Sequence, residues 1–345
     1  MSEGDRDGGG LADRSTGLSR RTAFAAQERR RQVVHFDAEH PGRASYRNSP
    51  YRFLPAPKAS KFPESINLAP SIRSVGPDYF QANKIQWHTH ANHALSSQVC
   101  CLNFLMPLAR DHDRLARLVG SALDIDPPEL VDAKEGPDGE PWFVAFEWNG
   151  GGHDYLNESL NGRLLKRGSN STSADAAIRF RSGGRIEILL IEWKYTETYG
   201  APIQAKGNPT RTKRYENLTF APNGPIKADQ GLELADFFYE PFYQLLRQQM
   251  LAFQLEKAGG FDCARVLHVS PRGNRRLHHV TSRKLQPFGD DAFKVFRKLL
   301  VHPDRFVDCR TEDLFRPLIE GASPDDPWAT YLRQRYRFLD DSVND

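Results

Sequence analysis

The sequence is poor in the residues that would tie it to a membrane, a disulfide framework or a zinc site. Its four cysteines, Cys100, Cys101, Cys263 and Cys309, form no C-x-x-C pair in 345 residues. Neither a zinc ribbon nor a disulfide scaffold is indicated, and the thiols are expected to be reduced and largely buried. No apolar run approaches the roughly 20 residues that span a bilayer. The opening residues, Met1 to Arg6, lack the apolar core of a signal peptide. With a mean hydropathy of −0.61, these absences predict a cytoplasmic protein with no membrane partner. An excess of one charge is missing too, since 47 Lys and Arg stand against 44 Asp and Glu for a net charge of +3. Binding to nucleic acid would therefore depend on local clusters. No internal repeat and no methyltransferase or helicase motif is visible.

What is present is a chain long enough for one large domain or two small ones, organised around the stretch RIEILLIEWKY at 185–195. Residues 186–191 are a nearly unbroken apolar run behind the turn signal Gly183-Gly184, a pattern that predicts a strand buried on both faces. The run then ends in Glu192 and Lys194. Residues two apart on a strand share a face, and buried charges are costly unless paired or bound to a metal. Residues 173–181 read as the preceding strand, and a hairpin folded at the glycines would bring Asp175 to Glu192 and Lys194. Two carboxylates suit Mg²⁺, and an adjacent lysine can orient a water or help deprotonate it. The set points to metal-assisted hydrolysis of a phosphodiester. A plain Glu–Lys pair at a solvated strand end would give the same letters, and that reading stays open.

In these residues the sequence resembles the PD-(D/E)xK nuclease superfamily, whose signature is an aspartate on one strand and Glu-x-Lys on the next. Asp175 and Glu192-Trp193-Lys194 match, with Ala174 where the signature has proline. The wider stretch, 167–175 through 192–197, resembles bacterial proteins described as restriction endonucleases. The resemblance implies Mg²⁺, with Mn²⁺ as a substitute, held by Asp175 and Glu192 with help from the Trp193 carbonyl. It implies that Lys194 positions the attacking water and that DNA is the partner. A homodimer, and a separate methyltransferase or defence partner chain, are compatible with it.

Elsewhere, residues 1–40 are rich in Gly, Ser, Arg and Asp and include Arg29-Arg30-Arg31. They predict a disordered basic tail with at most a short helix near 22–34. Proline spacing predicts an irregular extension over 41–82. Ala94, Leu95, Val99, Leu102, Leu105 and Met106 predict a helix over 87–106, ended by Pro107. Asp111 would cap a second helix. His88, His90 and His93 do not share a helical face, so no metal site is expected there. In the resembled superfamily an opening helix sometimes sends an acidic or amide side chain to the site. Gln98 is the candidate here, with a surface or capping role left open. Residues 141–148 read as the first strand, apolar until Glu147, which is either a further catalytic carboxylate or a solvated end residue.

After the motif, 196–227 shows no periodicity and predicts a loop. It carries Lys206, Arg211, Lys213 and Arg214, with Tyr195, Tyr199 and Tyr215 interleaved. This is a candidate DNA clamp or a solvated surface loop. A helix is predicted over 241–258, between Pro241 and Gly259-Gly260, and a strand over 264–269. The loop 270–279, with Arg272, Arg275 and Arg276, could contact phosphates. Short helices are expected near 291–300, 312–320 and 328–339.

The order read from periodicity is helix, strand, strand, strand, helix, strand, the restriction-endonuclease-like core order. The expected fold is therefore α/β, with a mixed central sheet flanked by helices over 83–301, N-terminal additions, and a helical extension over 302–345. The expected function is a Mg²⁺-dependent DNA endonuclease of a restriction or defence kind. The alternative is a catalytically silent nucleic-acid-binding module on a nuclease fold, and a third reading makes the charges a surface ion-pair cluster of an interaction protein.

Overall fold

Two adjacent glycines at positive φ, Gly183 at 56° and Gly184 at 80°, close the turn between two nine-residue strands. Their missing side chains make that conformation accessible at little cost. A computed structural model describes residues 14–39, 67–88, 91–159, 171–199 and 202–341. Its helices are α1 (Arg14–Glu39), α2 (Val75–Ala82), α3 (Ser97–Leu105), α4 (His112–Leu123), α5 (Asn208–Thr219), α6 (Phe242–Lys257), α7 (Ala292–Leu299), α8 (Thr311–Glu320) and α9 (Pro327–Arg335). Its strands are β1 (Glu129–Val131), β2 (Lys134–Glu135), β3 (Pro141–Trp142), β4 (Val144–Trp148), β5 (Ala174–Ser182), β6 (Arg185–Trp193), β7 (Cys263–Ser270) and β8 (Phe306–Arg310).

The main sheet is mixed. β5 and β6 are antiparallel, β7 runs parallel to β6, and β8 runs parallel to β7. β1 and β4 share the outer edge of β5, one at each end, and β2 and β3 form a separate small hairpin. Helices cover both faces. On one, α3, α4, α8 and α9 pack Phe104, Leu115, Phe315 and Leu332 into the layer that holds Ile178, Leu189, Ile191 and Trp193. On the other, α5, α6 and α7 pack Tyr215, Leu246, Met250 and Phe293 into the layer that holds Ala177, Ile188, Leu190 and Val266. Alternation along each strand sends neighbours to opposite layers, which is why β6 reads as a continuous apolar run. Each fully buried Leu or Ile there contributes about 1.5–3 kcal/mol, so a charge at Leu189 or Leu190 would break the sheet.

Several elements differ from expectation. The short helix expected near 22–34 is the middle of a longer one, α1, whose inward stripe is Phe24, Glu28, Gln32 and Phe36, four residues apart and all buried. Two of the four are polar, so the stripe has no apolar signal. Hydrogen bonds hold it instead. The Tyr195 hydroxyl donates to Glu28 at 2.6 Å, and Gln32 exchanges bonds with the Arg335 backbone and guanidinium at 3.1 and 3.0 Å. Residues 1–13 and 40–66 of the expected N-terminal segments lie outside the described residues.

Within the expected irregular extension, Pro77 falls in the first turn of α2, where a proline costs no hydrogen bond, and Tyr79 and Phe80 are buried. Helix α3 starts at Ser97, with the Ser96 hydroxyl capping Val99 N, while Trp87 stacks on Phe80. The loop expected over 196–227 contains α5, which buries only Tyr215 and Thr219, too few for a periodic signal. The C-terminal extension is not only helical, since β8 carries the sheet past residue 301 with a mostly half-buried strand in which Asp308 and Arg310 interrupt the apolar pattern.

Cys100, Cys101 and Cys263 are buried free thiols, and Cys309 is half-buried. No helix among the described residues is long and apolar enough to cross a membrane.

Candidate active site

The hairpin register sets the site. The last ladder pair between β5 and β6 is Ala176 with Ile191, so the next step sets Asp175 beside Glu192. Asp175 follows the alternation of Ala177, and Glu192 that of Leu190, so both belong to the sheet face covered by α6. Asp175 Oδ2 accepts from Trp193 N at 2.7 Å. Lys194 continues the β6–β7 ladder by donating its N–H to the Val269 carbonyl at 2.9 Å, and its ammonium binds Glu192 Oε1.

Glu192 is only 2 % exposed, and α6 supplies what its carboxylate needs. Gln244 Nε2 donates to Oε1 at 2.6 Å, and Gln248 Nε2 to Oε2 at 2.9 Å. The two glutamines are four apart and so share one face of the helix. Gln248 Nε2 also donates to the Ser173 carbonyl at 2.7 Å, while its own Oε1 is buried without a partner among the described residues. Tyr199 donates to Gln244 Oε1 at 2.6 Å. One residue along α6, Arg247 binds Glu158 and Thr172, which fastens the chain entering β5.

A third carboxylate comes from β4. Phe146 pairs with Ala176 and Trp148 with Ala174, so Glu147 falls opposite Asp175. Its backbone is left-handed, with φ of 48°. Such a conformation costs a non-glycine residue about 1–3 kcal/mol and persists where the surroundings impose it. Here Gln98 Nε2 donates to Glu147 Oε1 at 2.6 Å, and Gln98 Oε1 accepts from His88 N at 3.0 Å. Gln98 is buried, and thus joins α3 to the strand end instead of lying on the surface.

The electrostatics are lopsided. Burial, then the Glu192 charge, push the Asp175 pKa well above the ordinary carboxylate range, against the pull of Lys194. Burial also disfavours the Lys194 ammonium, but Glu192, Tyr199 and Asp175 outweigh it and hold the amine protonated. Among the described residues no group of three His, Cys, Asp or Glu side chains stands in metal-holding geometry. Asp175, Glu192 and the Trp193 carbonyl nevertheless form an all-oxygen donor set of the kind Mg²⁺ takes when it uses one or two carboxylates and keeps its waters. A divalent cation would also relieve the repulsion between the two acids.

The expected nucleic-acid contacts fall in two places. Lys206 and Lys213 are exposed and Arg214 half-buried around α5, whereas Arg211 stacks over Tyr243 and donates to the Gln204 carbonyl at 2.6 Å. Tyr195 and Tyr215 do not interleave with them: both are buried, and their hydroxyls bind Glu28 and Glu158. In the second place, Arg272 pairs with Asp313, while Arg275 is exposed and Arg276 half-buried. Asn274 ties this segment to the carbonyls of Tyr195 and Glu197 at 3.0 and 2.9 Å, just beyond Lys194.

Sequence reasoning missed Gln244 and Gln248. The available signal was polar residues recurring within the buried stripe of a core helix. The model of one family, described as Restriction Endonuclease associating with ARP, matches residues 24–337. No curated protein and no solved structure matches the chain.

Proposed function

Because the chain belongs to the family of restriction endonucleases associating with ARP, we propose that it is a Mg²⁺-dependent DNA endonuclease of the PD-(D/E)xK type, acting in restriction or defence. The observation that carries this reading is the meeting of Asp175, Glu192 and Lys194 at one end of the β5–β6 hairpin. The order α3, β4, β5, β6, α6, β7 supports it, with α4 and β1–β3 inserted before β4 and α5 before α6. Asp175, Glu192 and the Trp193 carbonyl would hold the cation, with Mn²⁺ as a substitute. Bound there, Mg²⁺ supplies Lewis-acid stabilisation of the phosphate and a more acidic water. Lys194 orients the attacking water and stabilises charge developing on the phosphate. Gln244 and Gln248 keep Glu192 in place, and Gln98 keeps Glu147 turned toward Asp175. The basic residues of α5 and of the 272–276 segment would take the DNA backbone. The family description names a partner, ARP, and association with a second protein is part of this proposal.

The test is incubation of the full chain with supercoiled plasmid and with single-stranded DNA in Mg²⁺, Mn²⁺ or EDTA. Nicking or linearisation that needs the cation is expected. DNA binding without cleavage in either metal would favour the silent binding module.

A further inference from the structure

Strand β7 sends two polar side chains into the interior beside this site. His268 and Ser270 are 1 % and 0 % exposed. Neither His268 ring nitrogen and not the Ser270 hydroxyl has a hydrogen-bond partner among the described residues. The parallel register sets His268 beside Glu192, and the Lys194 N–H to Val269 bond carries the ladder one step further, setting Lys194 beside Ser270. Residues two apart share a face, so Glu192, Lys194, His268 and Ser270 form a polar square on the face covered by α6 and α7. The His268 ring packs on Phe293 of α7, with centroids 4.3 Å apart. Burial first, then the Lys194 charge, hold the imidazole pKa well below its ordinary value. The ring is therefore neutral, and one of its nitrogens is an unused acceptor.

A phenylalanine would fill this slot without the cost of an unpartnered imidazole, so packing alone gives no reason for histidine. Lys194 gives one. Its ammonium is bound to Glu192, and on the nuclease reading, on which this inference rests, Glu192 must turn to a cation. The ammonium then loses its acceptor inside a buried site. We propose that His268 is a positioning residue for Lys194: its free ring nitrogen, with the Ser270 hydroxyl beside it, accepts from the Lys194 ammonium when Glu192 engages a cation, and so fixes the lysine at the reacting phosphate.

Two measurements on the full chain decide this. The first is the ¹⁵N spectrum of its histidine rings on addition of Mg²⁺ without DNA, with His268 assigned by His268→Gln. The acceptor nitrogen of His268 should shift in the wild-type protein and stay still in Lys194→Ala. No shift, or the same shift in Lys194→Ala, overturns the inference. The second is cleavage. His268→Phe should lower kcat by about 10²-fold, the scale of a misplaced reacting group, with KM for DNA and the melting temperature not reduced. His268→Gln, which keeps an acceptor, should recover most of the rate. A packing role predicts the reverse, with phenylalanine tolerated and glutamine harmful, and that result sinks the proposal; if His268→Phe fails to fold, loss of the rate in a folded His268→Gln sinks it alone. If the wild-type protein does not cleave at all, the nuclease reading fails, and the nitrogen shift with its dependence on Lys194 still decides the role of His268.

Discussion

Strand β6 buries one glutamate near each end, and the surroundings treat the two differently. Glu187, near the start, receives Arg185 Nη2 at 2.6 Å and Arg265 Nε at 3.0 Å. Burial pushes its pKa up, but the hydrogen bonds from Arg185 and Arg265 outweigh that and hold it below the ordinary range. Glu192, near the end, has one ammonium and two neutral amides, with Asp175 beside it and Glu147 opposite Asp175. Two guanidiniums close on Glu187 at the first end, one of them also reaching Asp304 at 3.6 Å, whereas at the second one ammonium, with the His88 ring 3.7 Å from Glu147, stands against three acids. A carboxylate with its charge fully met has a complete structural role. Carboxylates left in excess, held in place by neutral glutamines, are what a further cation would pair with, and the proposed function rests on that contrast more than on the motif letters.

The sharpest way to break the contrast is to remove the acids one at a time. Asp175→Ala and Glu192→Ala should each abolish cleavage, a loss of at least about 10²–10³-fold, while circular dichroism stays that of the folded protein. Glu187→Gln should keep the wild-type kcat. Equal losses at both ends would erase the distinction. Lys194 comes next. Lys194→Ala should lower kcat by about 10²–10⁴-fold, and Lys194→Arg should stay nearly inactive, because arginine keeps the charge but neither its point geometry nor its ability to give up a proton. Cleavage by Lys194→Arg near the wild-type rate would reduce Lys194 to a counter-charge, like Arg265 at the other end.

The two ends also differ in how far the sequence exposes them. The hairpin, its turn and its pairing of Asp175 with Glu192 follow from local pattern: two glycines, alternating burial and a charged end to an apolar run. The partners of Glu192 come from 52 and 56 residues further along the chain, and no local pattern registers them. Helix α1 shows in the sequence only as a short helix near 22–34, and its full length is missed for another reason, because half of its inward stripe is Glu28 and Gln32, satisfied by Tyr195 and Arg335 from distant segments. In α5 polar residues of every kind dominate the composition and conceal a helix anchored by two buried residues. In each case the missing information is tertiary pairing of polar groups, which periodicity of apolar residues cannot carry.

On stability the ranking of the two ends should invert. Glu187→Gln should cost about 1–2 kcal/mol, since hydrogen bonds to charged groups are worth about 1.5–3 kcal/mol when shielded and Arg185 is half-exposed to screening. Because the folded pKa of Glu187 is lowered, this contribution is present above its ordinary value of 4.5 and is lost as pH falls through the folded value. Urea midpoints of wild-type protein and Glu187→Gln should therefore differ at neutral pH and converge on acidification. A difference that persists in acid would mean that the contribution is not electrostatic.

The smallest effect tests the excess of charge directly. The Glu192 charge disfavours a charge on Asp175, and Lys194 offsets part of that repulsion. Asparagine at 175 removes the repulsion and keeps an oxygen to accept the Trp193 N–H. In EDTA, Asp175→Asn should therefore melt about 1–3 °C above the wild-type protein, a shift of the size that about 1 kcal/mol produces in a large domain. Added Mg²⁺ should raise the melting temperature of the wild-type protein, by mass action on the folded state, and leave that of Asp175→Asn where it was. Lower stability of Asp175→Asn in EDTA, together with a wild-type melting point indifferent to Mg²⁺, would show that the end of β6 is as fully paired as its start. The excess of carboxylate would then hold no cation, and the glutamines of α6 would be structural partners only.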